Sequence, residues 1–371
     1  MNRTIIDIHA LQTVPPSNLN RDDTGSPKTA YYGGVRRARV SSQAWKRAMR
    51  VAFRDTLDQS ELGVRTKQIL DVLQARLQGL APELTDEQAE QIAKNALTAA
   101  GLKLKAPRKD AKEEAEYLVF LSNRQYDRLA EAALEAEQSG EQLDKKAMKA
   151  IVKDGNSIDI ALFGRMIADS PDINVDACCQ VAHAISVHAV EPEFDYFTAV
   201  DDRKFEDEEA DAGAAMIGTV EFNSSTLYRY ATIDADRLCE TLGSVEATRR
   251  AVENAVRTFV TAMPTGKQNT FANRTLPDAV LVTVRDTQPV NLVGAFEKPV
   301  DDKEGRLESA SRALAAHAAD IDGRYGTDPV ASWTVCVGER TQQLSALGTA
   351  STLDGLVSSL GQAVAERVGQ E

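Results

Sequence analysis

The chain is poor in aromatic side chains, which make up 5% of its 371 residues and include only two tryptophans. It has four cysteines and four histidines, and neither type is clustered. Cys178 and Cys179 are adjacent in an apolar stretch and read as buried thiols, while Cys239 and Cys336 stand alone. No C-x-x-C pair and no Cys/His spacing of a zinc site occurs, so no metal is expected. No apolar run is long enough to span a bilayer. The N-terminal apolar run is broken by Asp7 and His9, unlike a signal peptide, so the cytoplasm is the expected compartment, with no membrane partner. A dinucleotide fingerprint, a P-loop and a nucleophile elbow are also missing, which leaves a metabolic α/β enzyme without support and implies no cofactor.

With 43% hydrophobic and 27% charged residues, the chain is a folded globular protein of more than one structural unit. Its net charge of −13 argues against a surface that coats nucleic acid on all sides. The charge is uneven, however. The first 54 residues carry ten Lys/Arg against three Asp/Glu, a balance of +7, which leaves −20 for the remainder. A local basic surface on an acidic body is the pattern of a groove for a polyanion.

That basic surface centres on Tyr31–Arg50. Gly33-Gly34 supplies a turn. Arg37 and Arg39 then alternate with Ala38 and Val40 at the period of a strand with one charged face. Ser41 or Ser42 is placed to cap a helix. On that helix Gln43, Lys46, Arg47 and Arg50 share one stripe, and Trp45, Ala48, Met49, Ala52 and Phe53 form the opposite, apolar one. A cationic face beside a helix N-terminus suits phosphate groups; a solvated surface gives the same pattern.

Elsewhere, Arg3–Thr13 reads as a strand ended by Pro15-Pro16, and residues 17–34 as a polar loop holding Arg21 and Lys28. Residues 55–150 have helical period, few aromatics and alternating charges, and so read as an exposed helical insertion rather than a core. Thr85 and Ser122 are helix starts within it. Around Asp159–Met166 apolar density returns; Phe163 and Met166 look like packing residues, and Gly164-Arg165 permits a close backbone approach. Phe194–Asp202 and Ala212–Ser224 flank an acidic tip and read as an extended arm that leaves through Phe197–Val200 and returns through Met216-Ile217. Thr226–Ile233 is a strand whose tyrosines serve either base stacking or sheet packing. Pro264–Thr270 is a compact loop with one lysine, Lys267, and Val280–Val284 a central strand.

The stretches Asn20–Asp23, Gly33–Gln43 and Lys46–Arg50, with Asp159–Met166, Phe194–Asp202, Gly266–Gln268 and Ala295–Lys298, resemble the CasC family, the backbone subunits of the type I-E CRISPR Cascade complex. The resemblance implies an α+β, hand-like chain. Its parts are an RNA-recognition-motif-like (ferredoxin-like) palm over 1–58, 182–192 and 225–371, helical fingers over 59–181 and a β-hairpin thumb over 193–224. It implies a non-catalytic scaffold that polymerises head-to-tail along CRISPR guide RNA and kinks it at intervals for pairing with target DNA, among other Cascade subunits.

Carried onto this chain, the resemblance makes Arg21, Lys28, Lys46 and Arg50 phosphate contacts. Ser41, Ser42 and Gln43 become the corner beside the RNA backbone, and Phe163 and Met166 the segment near a kink. Arg37, Arg39, Arg47, Arg165 and Lys267 join the RNA-binding set, and Lys298 becomes a late contact. Phe197, Val200, Met216 and Ile217 match the thumb's apolar wedge. The acidic tip (Glu206–Asp211) departs from phosphate-contacting chemistry. The competing reading is a metal-dependent ribonuclease using Asp22 and Asp23, in which two carboxylates without a third form a poor metal site.

Overall fold

A computed structural model of the chain describes residues 3–108, 111–167, 170–199, 216–301, 303 and 305–369. Its strands are β1 (Ile5–Ser17), β2 (Thr29–Tyr32), β3 (Val35–Val40), β4 (Gly63–Thr66), β5 (Leu104–Lys105), β6 (Glu114–Ala115), β7 (Val119–Ser122), β8 (Cys179–Val181), β9 (Ala184–Ser186), β10 (Glu193–Ala199), β11 (Met216–Asp234), β12 (Ala279–Arg285), β13 (Ala331–Cys336) and β14 (Thr349–Ala350). The first six helices are α1 (Ser42–Thr56), α2 (Ile69–Leu80), α3 (Asp86–Ala99), α4 (Asn123–Ser139), α5 (Lys145–Lys153) and α6 (Ile158–Phe163). The protein is α+β and folds as two units. One holds the residues up to Met49, Val181–Thr232 and Val256–Ser359; the other holds Arg50–Gln180, Ile233–Ala255 and the residues from Leu360. The helical unit therefore takes in two later segments of the chain as well as Arg50–Gln180.

The first unit is built on a mixed sheet, ordered β14-β13-β12-β1-β11-β9-β3-β2. The β13–β14 pair is parallel, and β1–β12, β12–β13, β9–β11, β3–β9 and β2–β3 are antiparallel. β1 lies at the centre, and both of its faces are buried. Asp7 and His9, on its polar side, are held by partners in the interior. Tyr230 Oη donates to Asp7 Oδ1 at 2.7 Å, Arg285 Nε and the Val290 N–H donate to Oδ2, and His9 Nδ1 lies 2.9 Å from Tyr228 Oη. Tyr228 and Tyr230 are thus sheet-packing residues, closed to base stacking. β1 does not stop at Pro15-Pro16. Its ladder with β12 ends at Leu11–Ala279, and the Thr13 N–H is taken by the Asp278 carboxylate, so the prolines fall beyond the pairing with β12, where no N–H is asked of them by that strand.

The sheet core is completed by Leu292, Phe296, Ala310 and Leu314 on one side, and by Val14, Trp45, Leu227 and Met263 on the other. Arg229 is buried beside Trp45, with its guanidinium carbon 3.7 Å from the ring centroid, and donates to Gln12 Oε1. Burial brings its pKa down to about 9.

The helical unit has a core of its own, contrary to the expectation of an exposed insertion. Leu70, Leu73 and Leu77 of α2 meet Ala89, Ala93 and Ala96 of α3 and Tyr126, Leu129 and Ala133 of α4. The charges occupy the outer stripes, and alanine fills the seams where helices approach closely. Both expected starts form capping boxes, Thr85 with Gln88 and Ser122 with Gln125.

Candidate nucleic-acid interface

In the sheet unit the loop after β1 is a closed structure. Asp22 Oδ1 accepts from the Thr24 hydroxyl and from the amides of Thr24 and Ser26, at 2.7–3.0 Å. These bonds, the Thr24 hydroxyl foremost, hold the carboxyl below its ordinary range. Asp22 is therefore engaged in shaping the turn, and among the described residues no group of three or more His, Cys, Asp or Glu could hold a metal ion. Asn20 ties this loop to the next corner, since its Oδ1 accepts the Ser41 N–H at 2.9 Å and its carbonyl accepts the Lys28 N–H. Arg21 is left fully exposed and Lys28 half-buried on the loop's rim.

The turn before β3 exists because glycine permits it. Gly33 and Gly34 have φ of 58° and 76°, and a Cβ on Gly33 would lie 1.6 Å from the Glu297 carbonyl oxygen. This close approach holds the turn next to Lys298, which is exposed. Arg37 and Arg39 share a strand face but have different fates. Arg37 is completely buried. It donates to the carbonyls of Tyr32, Ser186, Phe296 and Glu297, at 2.8–3.2 Å, and its burial corrects its place in the RNA-binding set. Arg39 is half-buried, donating to the Thr29 carbonyl and to His183 Nδ1 at 3.0 Å.

Ser41 caps α1 by accepting the Ala44 N–H, and Ser42 opens the helix. Along α1, Trp45, Met49 and Phe53 are buried, as the apolar stripe requires, while Gln43 and Arg47 are exposed and Lys46 half-exposed. The expected loop Pro264–Thr270 runs into a short helix, Gln268–Phe271. Gly266 rests on the Leu19 carbonyl, leaving no room for a Cβ, and the half-exposed Lys267 adopts a left-handed φ of 46°. Arg21, Lys28, Arg39, Ser41, Ser42, Gln43, Lys46, Arg47, Lys267 and Lys298 all belong to this unit.

The hairpin β10–β11 pairs Phe197 with Gly218 and Ala199 with Met216. The Phe197 ring lies across Gly218, where a Cβ would come within 2.4 Å of it. Phe194 and Tyr196, which alternate with it, are 66% and 67% exposed. Met216 and Ile217 open β11. Val200 and the acidic tip lie outside the described residues.

In the helical unit, Arg50 is paired with Asp159 (3.3 Å) and lies 4.2 Å from the Phe120 ring centroid. Burial pushes the Asp159 carboxyl up and the Arg50 guanidinium down. Arg50 is thus largely committed to the protein interior. Phe163 stacks on Phe53 with centroids 6.0 Å apart, and Met166 is 84% exposed. Arg165 is buried and donates to the carbonyls of Ile173 and Val152, and burial lowers its pKa to about 10. Like Arg37, it is an internal staple, which corrects its place in the RNA-binding set. The sequence reading passed over Asn20 and His183, whose partners lie 21 and 144 residues away.

The profile of the CT1975-like protein family matches residues 6–359. Among solved structures, a chain of a "CRISPR RNA-guided surveillance complex, pre-nicking" is 34% identical with a TM-score of 0.87, covering 97% of this chain and 100% of its own. A chain of a "CRISPR RNA-guided surveillance complex" is 29% identical with a TM-score of 0.75, covering 97% and 99%. The search of curated proteins gives no match. With almost the whole chain matched, the protein belongs to the CT1975-like family and is a CasC-type backbone subunit.

Proposed function

We propose that the protein is a non-catalytic scaffold that binds CRISPR guide RNA in a type I-E Cascade complex, repeating head-to-tail along the guide beside other subunits. The observation that carries this reading is the likeness, over the whole chain, to subunits of RNA-guided surveillance complexes. The exposed and partly exposed cations of the sheet unit support it. Arg21, Lys28, Lys46, Arg47 and Lys298 carry charge without base-reading geometry, which suits a guide that must be held whatever its sequence. On this reading the sheet unit is the RNA-recognition-motif-like palm, the helical unit the fingers and β10–β11 the thumb. The apolar wedge of Phe197, Val200, Met216 and Ile217 kinks the guide for pairing with target DNA.

The experiment is purification of the tagged protein, alone and co-expressed with the other Cascade subunits and a CRISPR array, followed by nuclease-treated gels of the bound nucleic acid. A co-purifying RNA of uniform length, lost on Arg21→Ala with Arg47→Ala, is the expected result. Protein free of RNA in both preparations overturns the reading.

A further inference from the structure

His183 is exposed and immediately precedes β9, whose pairing with β3 sets Val40 opposite Ala184 and Arg39 opposite Ile185. The imidazole thereby reaches Arg39, with Nδ1 3.0 Å from Nη1. A guanidinium has donors and no acceptor, so this contact fixes the tautomer: Nδ1 carries the lone pair and Nε2 carries the hydrogen, on the side of the ring away from Arg39. Arg39 is joined in turn to the loop before β2, its N–H donating to the Lys28 carbonyl at 2.9 Å. Three adjacent segments therefore bring Lys28, Arg39 and His183 to one rim.

The charged groups acting on the imidazole are both cations, Arg39 from β3 and Lys28 from the loop. β11, on the other side of this segment, presents the Tyr230 carbonyl to the Ala182 N–H. An exposed imidazole beside two cations, with Nδ1 engaged by Arg39, keeps its Nε2–H as a donor suited to an anion.

We infer that Lys28, Arg39 and His183 form one seat for a backbone phosphate of bound RNA, with His183 Nε2–H donating to a phosphate oxygen. This rests on the RNA-binding reading above and adds His183 to it as a binding residue. Without RNA, partial burial and the two cations hold the histidine below its ordinary pKa. A seated phosphate reverses the electrostatics and favours the imidazolium. On protonation Nδ1 gains a hydrogen, the Arg39 contact opens and Nη1 is released toward the same phosphate. RNA binding then takes up a proton, so affinity rises as pH falls through the bound-state pKa.

The test measures binding of a uridine oligonucleotide to the full-length chain between pH 5.5 and 7.5 for wild type, His183→Ala and His183→Gln, with melting curves at each pH. The alanine variant is expected to bind about tenfold more weakly at pH 7.5, for the loss of one hydrogen bond to a charged group. Its deficit should widen by about a further tenfold at pH 5.5, where the wild type gains a cation. The glutamine variant, which keeps a donor, should recover part of the loss at pH 7.5 and none of the gain at pH 5.5. Identical pH profiles in wild type and both variants would overturn the seat while leaving RNA binding intact. A wild type that binds no RNA at any pH overturns the parent reading and the seat with it.

Discussion

The Arg37 guanidinium donates to the carbonyl oxygen of Phe296 at 2.8 Å, across 259 residues of chain. The same side chain serves Tyr32, Ser186 and Glu297, so one arginine fastens the Gly33-Gly34 turn, β9 and the segment before Lys298. Arg37→Ala leaves buried carbonyls without donors and should destabilise the protein by about 3 kcal/mol. Urea unfolding measures this. The salt dependence of RNA binding in the protein that remains folded should keep its wild-type slope, and a reduced slope would return Arg37 to the phosphate contacts.

Arg47 and Arg50 are neighbours on one helix with different expected phenotypes. Arg47 is exposed, and Arg47→Ala should lower the slope of log affinity against log salt by about 1 with little change in stability. Arg50→Ala strips the buried Asp159 of its ion pair and should cost about 2 kcal/mol, most of it appearing in unfolding rather than in binding. Reversed phenotypes would mean that the helix presents a different face to RNA.

At Gly33 two constraints coincide, a left-handed φ and a carbonyl within bond length of any added Cβ. Gly33→Ala should cost about 2–3 kcal/mol, by backbone strain and by forcing Glu297 away. A thermal melt of Gly33→Ala beside Gly34→Ala, where nothing stands within 4 Å, separates crowding from φ alone.

His9 is buried between Tyr228 and Tyr230, and burial brings its pKa down to about 3. In the unfolded chain an imidazole titrates near pH 6.5. The unfolded state therefore binds a proton that the folded state refuses, and stability falls as pH drops from about 6.5 toward 3, by up to about 1.4 kcal/mol per pH unit. Asp7, pushed up by burial, acts in the opposite sense over its own range. The diagnostic quantity is thus the difference between wild type and His9→Gln in urea titrations at pH 7 and pH 4.5. A difference that does not change with pH would refute the assignment.

Locally determined features were legible in the sequence. The Gly33-Gly34 turn, a cap at Ser41 or Ser42, the two-sided α1 and the helix starts at Thr85 and Ser122 are all fixed by residues within a few positions of one another. The arginines were not, because Arg37 and Arg39 share one strand face and only the distant carbonyls of Ser186 and Phe296 decide which of them turns inward. Arg165 was hidden for the same reason, and so was the core of the helical unit, where alanines do work usually done by larger side chains. His183 shows no local signal at all; its meaning depends on a strand pairing that sets it beside Arg39.

β1 occupies the middle of the sheet and precedes both of its sheet neighbours, β11 and β12, by more than 190 residues. Its partner β12 is made some 270 residues later, since Ile5 pairs with Arg285 and Leu11 with Ala279. At about 5–20 residues per second, a ribosome leaves this apolar strand without its partner for roughly tens of seconds. The helical unit, rich in local contacts, has most of its chain available by Gln180 and can consolidate first, while the sheet waits for β12. During synthesis β1 is thus an apolar strand open to aggregation, and a chaperone that holds Ile5–Leu11 over that interval would protect the segment around which the sheet is later assembled.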